Sequence, residues 1–495
     1  MALTADRAPA RTARRGTLPV VCLALATVVS TVASLNVALP SIARATGASQ
    51  TQLSWVVDAY ALVFASLLLP GGALGDRYGR RKALVAGLGL FAAGALAATA
   101  WADIRWLIAM RVVLGIGAAL VMPATLSTVT GTFGAEQRGK AVGTWAGVAG
   151  ASAILGLLAS GAVLEEWSWR SVFVVNALLA VAALIGTLRV VPESAAPDAP
   201  RVDWAGAAIS VVGLGLLVFS VIEAPTAGWS SGRTLAGLAA GAVVMAAFVG
   251  WELHVAHPLL DPRLFRRSGF AAGALTISCQ FFAFFGFILL LLLQYLQLVL
   301  GDSPLRAAAG LVPMALGMMP AARVGAPRLA ARLGAVRASA VGLVVAAAAM
   351  AWLSRLGAGS SYWPLPAGLI PLGAGMGLAM TPATSAVTGS LPAHRQGVGS
   401  AMNDLARELG GALGIAVLGS VLQSVYRGHL ELHAAPPRVA AQARSSAALA
   451  MHLDPAIAGA ARSAFVDGLH ISLLVGAGAM LLTAVGLLLG RAVRH

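Results

Sequence analysis

Apolar residues run through this chain in blocks of about 18–24, separated by short stretches rich in charge, proline or glycine. A helix of that length matches the hydrocarbon core of a bilayer, and the blocks are too long and uniform to be barrel strands. Lipid offers no partner to open backbone groups, so the pattern predicts an all-α integral membrane protein. Fourteen transmembrane spans are expected, over residues 18–42, 53–74, 83–100, 104–122, 141–164, 172–188, 204–222, 234–251, 270–293, 308–326, 338–353, 365–380, 398–422 and 469–490. The even number puts both termini on one side. Residues 423–467 are the one sizeable piece outside the membrane. Their Ala-rich stretches suit short surface helices broken at Pro436–Pro437, and they are too few for a catalytic domain.

Charge sets the orientation. With the N-terminus inside, most of the 34 Lys and Arg residues fall in cytoplasmic segments, whereas the short outer loops hold Arg44, Arg105, Arg170, Arg233, Arg306 and Arg355. Both termini are therefore expected in the cytoplasm. The basic tail (Arg7, Arg11, Arg14, Arg15) and the apolar run after it look like a signal peptide, but the run is too long, so it is read as the first span. Composition agrees: the chain is 58% hydrophobic, 11% charged and has a mean hydropathy of +0.83, where a soluble protein would carry about 25% charged residues. The net charge of +15 does not point to nucleic acid, because the basic residues sit at span ends rather than in one patch. Cys22 and Cys279 both lie inside apolar blocks, which argues against a disulfide framework or a thiolate metal site.

One internal echo divides the chain. The loop after span 2 reads GALGDRYGRR (72–81) and the loop after span 10 reads PRLAARLGAVR (327–337), with Arg77 and Gly79 opposite Arg332 and Gly334. Weak repeats of this kind mark transporters built from two related halves. If each loop follows the second helix of its half, the chain has a cytoplasmic tail (1–17), an N-terminal six-helix half (18–188) and an irregular Pro/Ala/acid-rich linker (189–203). Two inserted helices (204–251), a second linker (252–269) and a C-terminal six-helix half (270–490), which contains the 423–467 outer loop, complete it.

Few residues in the spans are charged. Asp58 lies about 7.5 Å into span 2 at helical rise, where a carboxylate is costly to keep ionised and normally faces a cavity or a partner. It is either a proton-handling or substrate-binding group or half of a structural pair with Arg111, about 10 Å into span 4 at a similar level. Span 13 carries Asn403, Asp404, Arg407 and Glu408. Asp404 and Glu408 share a face at i,i+4 and Arg407 can neutralise Asp404 at i+3, which leaves one acid in surplus. Glu408, about 15 Å deep, is near the midplane where transporter sites lie. It either handles a proton or cation or is hydrogen-bonded between helices.

In the 72–81 loop, Gly72, Gly75 and Gly79 would let helices approach closely, and Asp76 could cap the positive end of a neighbouring helix. Arg77, Arg80 and Arg81 alone would be explained by anchoring at the cytoplasmic face; the glycines and the acid would not. Gly143, Gly147, Gly150, Gly156 and Gly161 of span 5 are packing devices, with a hinge as the alternative. Phe281, Phe282, Phe284, Phe285 and Tyr295 are expected in the core or against lipid rather than around a cavity. Arg323, near the end of span 10, is expected to snorkel. No G-x-x-x-x-G-K-[ST] loop exists, the eight histidines lack metal-ligand spacing, and no Ser/His/Asp cluster suggests hydrolysis. An ATP-driven pump and an enzyme are both disfavoured.

These motifs resemble those of the major facilitator superfamily, and within it the fourteen-helix drug:proton antiporter group. GALGDRYGRR is similar to the superfamily's loop signature. Arg111 with Gly115, Gly117 and Ala118 resembles the span 4 signature, with Leu114 where the group has Gln. Gly156 and Gly161 resemble the span 5 antiporter motif, in which Leu157 replaces a proline and Ser160 a glycine. Trp169, Arg170, Phe173 and Asn176, then Asp203, Trp204 and Gly206, then Asn403, Arg407, Gly410, Gly411 and Gly414 are similar to further signatures, and Thr31 stands where many members carry an aspartate. The resemblance implies a plasma-membrane secondary transporter, monomeric and without cofactor, that exports hydrophobic or cationic small molecules such as drugs and antibiotics in exchange for protons. It also implies that the 72–81 loop latches the halves, with Asp76 facing the start of span 13 near residues 397–400; the buried acids Asp58 or Glu408 are the candidates for the proton. A dedicated exporter of one endogenous metabolite and a proton-coupled importer are the alternatives.

Overall fold

The structure, a computed structural model, describes residues 16–48, 50–194, 202–292, 294–357, 362–392, 395–432, 436–445, 447–451 and 455–492. The basic tail and the 195–201 part of the first linker lie outside the described residues. Among the described residues all regular structure is helical. The chain runs through α1 (Thr17–Thr46), α2 (Gln50–Tyr78), α3 (Arg80–Ala97), α4 (Ile104–Thr132), α5 (Ala135–Glu166) and α6 (Arg170–Val190), then α7 (Trp204–Ala227) and α8 (Gly232–His254). After a 3-10 turn over Pro262–Arg266 come α9 (Ser268–Phe285), α10 (Pro304–Ala309), α11 (Val312–Pro320), α12 (Ala326–Leu333), α13 (Ala335–Leu353), α14 (Pro364–Gly389) and α15 (Gln396–His429). Two short helices, α16 (Pro437–Ser445) and α17 (Ala447–Ala450), follow, and α18 (Pro455–Ala492) is the last helix among the described residues. Pro437 opens α16 rather than breaking a helix, since its missing N–H is no loss at a first helical position.

Thirteen helical stretches among the described residues are long and apolar enough to cross a membrane, with Leu305–Leu333 counted as one. The chain is therefore a multi-pass membrane protein. The count is one below expectation because α3 is 18 residues long and opens on Arg80, Arg81 and Lys82, which leaves its apolar part shorter than a hydrocarbon core. Helix starts are set by side-chain caps: Asp103 accepts from the Arg105 and Trp106 amides of α4, Asp203 from Gly206 of α7, and Ser231 from Thr234 of α8.

Span 10 is the clearest departure from the sequence expectation. It is not one helix but α10, α11, a π stretch over Ala321–Gly325, and α12. Prolines at 304, 313, 320 and 327 each remove a backbone donor, and the wider π turn follows Pro320 directly. The helix after α9 also loosens into π turns over Gly286–Leu292 and Tyr295–Val299. Arg323 is exposed within the first of these irregular stretches of the C-terminal region to follow α11.

Packing sorts the helices. α1 lies on α5 and α6, α2 on α4, and α3 on α4 and α6. Beyond the middle of the chain, α9 lies on α14 and α15, α13 on α14 and α18, and α11 on α14. The two groups meet where α2 and α4 touch α15 and where α5 touches α11, the π stretch and α14. α7 packs on α8 and lies against α2 and α15, where Trp55 meets Phe219 and the Trp229 Nε1 donates to Ser420 Oγ at 2.8 Å. Glycine makes the tightest seams. A Cβ on Gly342 of α13 would lie 2.6 Å from the Gly375 carbonyl oxygen of α14. Gly342→Leu is accordingly expected to cost about 1–3 kcal/mol through overpacking. A lowered midpoint in thermal unfolding of the detergent-solubilised protein checks this.

Candidate functional site

The two helix groups enclose a central cavity with about 850 Å³ of empty space, including its mouth. α1, α2, α4 and α5 line one side, and α9, α11, α14 and α15 the other. Its walls are almost entirely apolar. Val32, Phe64, Ile154 and Leu157 face Phe281, Phe284, Met318 and Met376, and among the described residues the only charged side chains that reach it are Arg407 and Glu408. Phe281, Phe284 and Phe285 form a cluster with ring centroids 5.3–5.8 Å apart, so three of the five aromatics expected in core or lipid line the cavity instead. Tyr295 is buried and donates to the Gly357 carbonyl at 2.9 Å.

One turn of α15 sets the charge of this cavity. Thr384 Oγ1 donates to Asn403 Oδ1 at 2.8 Å, Asn403 Nδ2 to Asp404 Oδ1 at 3.3 Å, and Arg407 Nη1 to the same oxygen at 3.5 Å. Asp404 is 1% exposed, and its other oxygen has no hydrogen-bond partner among the described residues. The Arg407 guanidinium lies 4.6 Å from the Phe281 ring centroid and 5.7 Å from that of Trp145, a fully buried α5 residue whose Nε1 donates to Thr125 Oγ1. Arg407 is therefore held by one long ion pair and two π faces. Glu408 makes no hydrogen bond or ion pair to any described residue, which removes the expectation of a bond between helices. Asp404 absorbs the charge of Arg407, and Glu408 is left as the acid in surplus, facing the cavity.

The structural pair of Asp58 with Arg111, one of the two alternatives, does not form: no ion pair joins them among the described residues. Arg111, 1% exposed, donates from Nε to the Val56 carbonyl at 2.7 Å and lies 4.3 Å over the Tyr60 ring, while its Nη1 has no hydrogen-bond partner among the described residues. It ties α4 to α2 through backbone and ring rather than through the acid. Asp58 is half-buried and is not among the residues lining the central cavity. The charges that act on it are Glu223 of α7 and Arg111. Glu223, like Tyr60 and Trp145, was invisible as a site residue in the sequence, since nothing in its spacing shows that α7 lies against α2.

At the end of the bundle that carries the 72–81 loop, Asp76 joins the two groups. Its carboxylate accepts from the Gly397 amide at 2.7 and 2.8 Å and from Val398 at 3.1 Å, capping the start of α15. Arg80 donates to the same carboxylate from Nη2 at 3.0 Å and from Nε at 3.3 Å, and its Nη1 reaches the Ser127 carbonyl of α4. All three partners are buried. Gly72 faces Gly397 backbone to backbone, and a Cβ on Gly72 would lie 2.5 Å from that carbonyl oxygen. Gly79 takes φ +116° between α2 and α3, where a Cβ would run into the Glu193 carboxylate that accepts from the Arg81 amide. Arg81 also donates to the Leu188 carbonyl at 2.6 Å. Gly75 meets only Ala83 at ordinary contact distance, and Arg77 is half-exposed in the last turn of α2.

The span 5 glycines separate into two sets. Gly143 faces the Ala322 carbonyl, Gly147 Met319, Gly150 the Met318 sulfur and Gly161 Leu305, all across the boundary between the groups. Gly156 instead lies against the Ser30 backbone of α1. α5 itself is an unbroken helix of 32 residues.

A helical membrane body of two packed groups with an apolar cavity between them has the form of a membrane transporter. The family model described as Major Facilitator Superfamily matches residues 21–415, and the chain belongs to that superfamily. It is similar to the methyl viologen resistance protein SmvA of Salmonella typhimurium, 33% identical over 487 residues, covering 95% of this chain and 97% of the relative. It is also similar to the multidrug efflux pump LfrA of Mycolicibacterium smegmatis, 33% identical with 97% and 95% covered. The multidrug resistance protein Stp of Mycobacterium tuberculosis is 35% identical, covering 81% of this chain and 74% of the relative. Among solved structures, the human organic anion transporter MFSD10 (TETRAN) shares the fold, with a TM-score of 0.64 at 17% identity over 96% of this chain and 99% of that one.

Proposed function

We propose that this chain exports hydrophobic, including cationic, small molecules across the plasma membrane in exchange for protons, with Glu408 as the central proton carrier. The observation that carries this is an apolar, aromatic-lined cavity containing one carboxylate that makes no ion pair or hydrogen bond to any described residue. Protonated, Glu408 makes the cavity neutral and apolar; ionised, it favours a cation beside the Phe281 cluster. Asn403, Asp404 and Arg407 position and balance it. Asp58, outside the cavity, serves as a second titrating group, and Arg111 fixes the α2–α4 pair beside it. No ATP and no cofactor enter the cycle, and the transporter works as a monomer.

The finer architecture belongs to the same proposal. α3 is the fourteenth crossing, both termini are cytoplasmic, residues 18–188 and 270–490 are the two six-helix halves, and α7 and α8 are an insertion between them. The halves rock about the cavity, with Gly72, Gly75, Asp76, Arg77, Gly79, Arg80 and Arg81 as the cytoplasmic latch and the span 5 glycines as the sliding seam. In inside-out vesicles with an acidified interior, a fluorescent cationic dye is expected to accumulate and to leave when a protonophore is added. Accumulation insensitive to the protonophore would falsify proton exchange, and dye flux in the opposite direction would make the protein an importer.

A further inference from the structure

On the far side of α1 and α5 from the central cavity lies a second one, with about 640 Å³ of empty space, bounded by α1, α5 and α6. The two share a wall but no lining residue. Val32 and Leu157 face inward, whereas Ser34 and Ser160 face this outer cavity, and the seam between is closed where Gly156 lies against the Ser30 backbone. Its mouth is at Leu155, 62% exposed, and Ala159, both on the outward surface of α5. Asn176 lies about 9 Å into α6 from its outer end at helical rise, which puts the cavity in the outer half of the membrane, opening to lipid.

The lining is polar in an unusual way for such a position. Asn176 is 3% exposed and Ser160 4%, and neither side chain has a hydrogen-bond partner among the described residues. Both polar groups retain access to the cavity, since neither is among the fully enclosed orphans. Ser30, Ser34 and Ser152 donate their hydroxyl protons to their own helices, at Thr27, Ser30 and Val148, which leaves their oxygens as acceptors. A buried amide and hydroxyl without partners cost about 1–3 kcal/mol each unless a ligand supplies the bonds. No lining residue is charged, and the remaining walls are Val, Leu, Ala and Gly156.

We propose that the α1–α5–α6 cavity is a binding site for a neutral, hydroxyl- or amide-bearing amphiphile entering from the outer leaflet. Asn176 and Ser160 would hold its head group, with its apolar part leaving past Leu155 and Ala159. A charged head group would find no counter-charge there. Binding does not depend on export, so its failure and the failure of the transport proposal are separable.

The test is photolabelling of the full chain in phosphatidylcholine nanodiscs with a long-chain alcohol carrying a diazirine, beside a trimethylammonium amphiphile of the same chain. The alcohol is expected to label peptides of α5 and α6 that line the cavity, and the cationic probe is not. Asn176→Leu and Ser160→Ala should each reduce that labelling about fivefold, the loss of one ordinary hydrogen bond. Ala159→Trp, on the lipid-facing mouth where the fold is not disturbed, should remove it. Labelling elsewhere on the lipid belt is the internal reference. Competition by unlabelled diacylglycerol identifies a leaflet lipid, and competition by decanol alone a single-chain solute; either supports the site. Competition by neither, undiminished labelling in Ala159→Trp and Asn176→Leu, or equal labelling by the cationic probe overturns it.

Discussion

Glu408→Gln is expected to abolish proton-driven accumulation of substrate while leaving downhill exchange in place. Gln keeps the size and hydrogen-bonding capacity of the side chain but cannot take up or release a proton. Each charge moved across the membrane potential is worth about 2.3 kcal/mol per 100 mV, so loss of one coupled proton lowers the attainable gradient by about 40- to 50-fold at that potential. The decisive measurement is a pair of assays on the same vesicles: dye accumulation against a pH gradient and dye exchange without one. Asp58→Asn should weaken accumulation less, because Asp58 is not among the residues lining the central cavity. Wild-type accumulation in the Glu408→Gln, Asp58→Asn double variant would sink the assignment of both groups.

Asp76→Asn should shift the protein toward a state open to the cytoplasm. Asn can still accept from Gly397 or Val398, but not with the strength of a carboxylate, and it leaves Arg80, 4% exposed, without its anion. Hydrogen bonds to charged groups are worth about 1.5–3 kcal/mol, so the closed-to-open ratio should fall about tenfold or more. Spin labels at Tyr78→Cys and Leu333→Cys, exposed positions on the two helix groups, report the separation. The native Cys22 and Cys279 are buried and give little background. A longer and broader distance distribution in Asp76→Asn is the expected result; identical distributions would assign the 72–81 loop to anchoring alone.

The helical membrane architecture, the apolar blocks and the Asp404–Arg407 pair were legible in the sequence because each is local: block length, i+3 spacing, a run of basic residues. The level of a residue along its helix was legible as well, since helical rise converts residue count into distance along the axis. Azimuth was not. Asp58 and Arg111 were placed at matching depth, yet Arg111 turns to the Val56 carbonyl and the Tyr60 face. The same blindness put Phe281, Phe284 and Phe285 in core or lipid when they face the cavity. Span 10 failed differently. Its hydropathy is continuous, but its prolines interrupt the backbone, and a hydropathy pattern weighs side chains rather than donors.

The contact between Gly72 and Gly397 carries one more consequence. Beside this backbone-to-backbone contact only the Ala401 methyl and the Asp76 carboxylate lie close, so parting the helices here releases one rotamer-bearing side chain, that of Asp76. On the proposed latch, the free energy of closure at this crossing is concentrated in one carboxylate and the amides that donate to it. The timing of opening would then be tunable by substitution around Asp76, which is not among the residues lining the central cavity. Substrate range and gating speed would in this sense be separate heritable traits of a single chain.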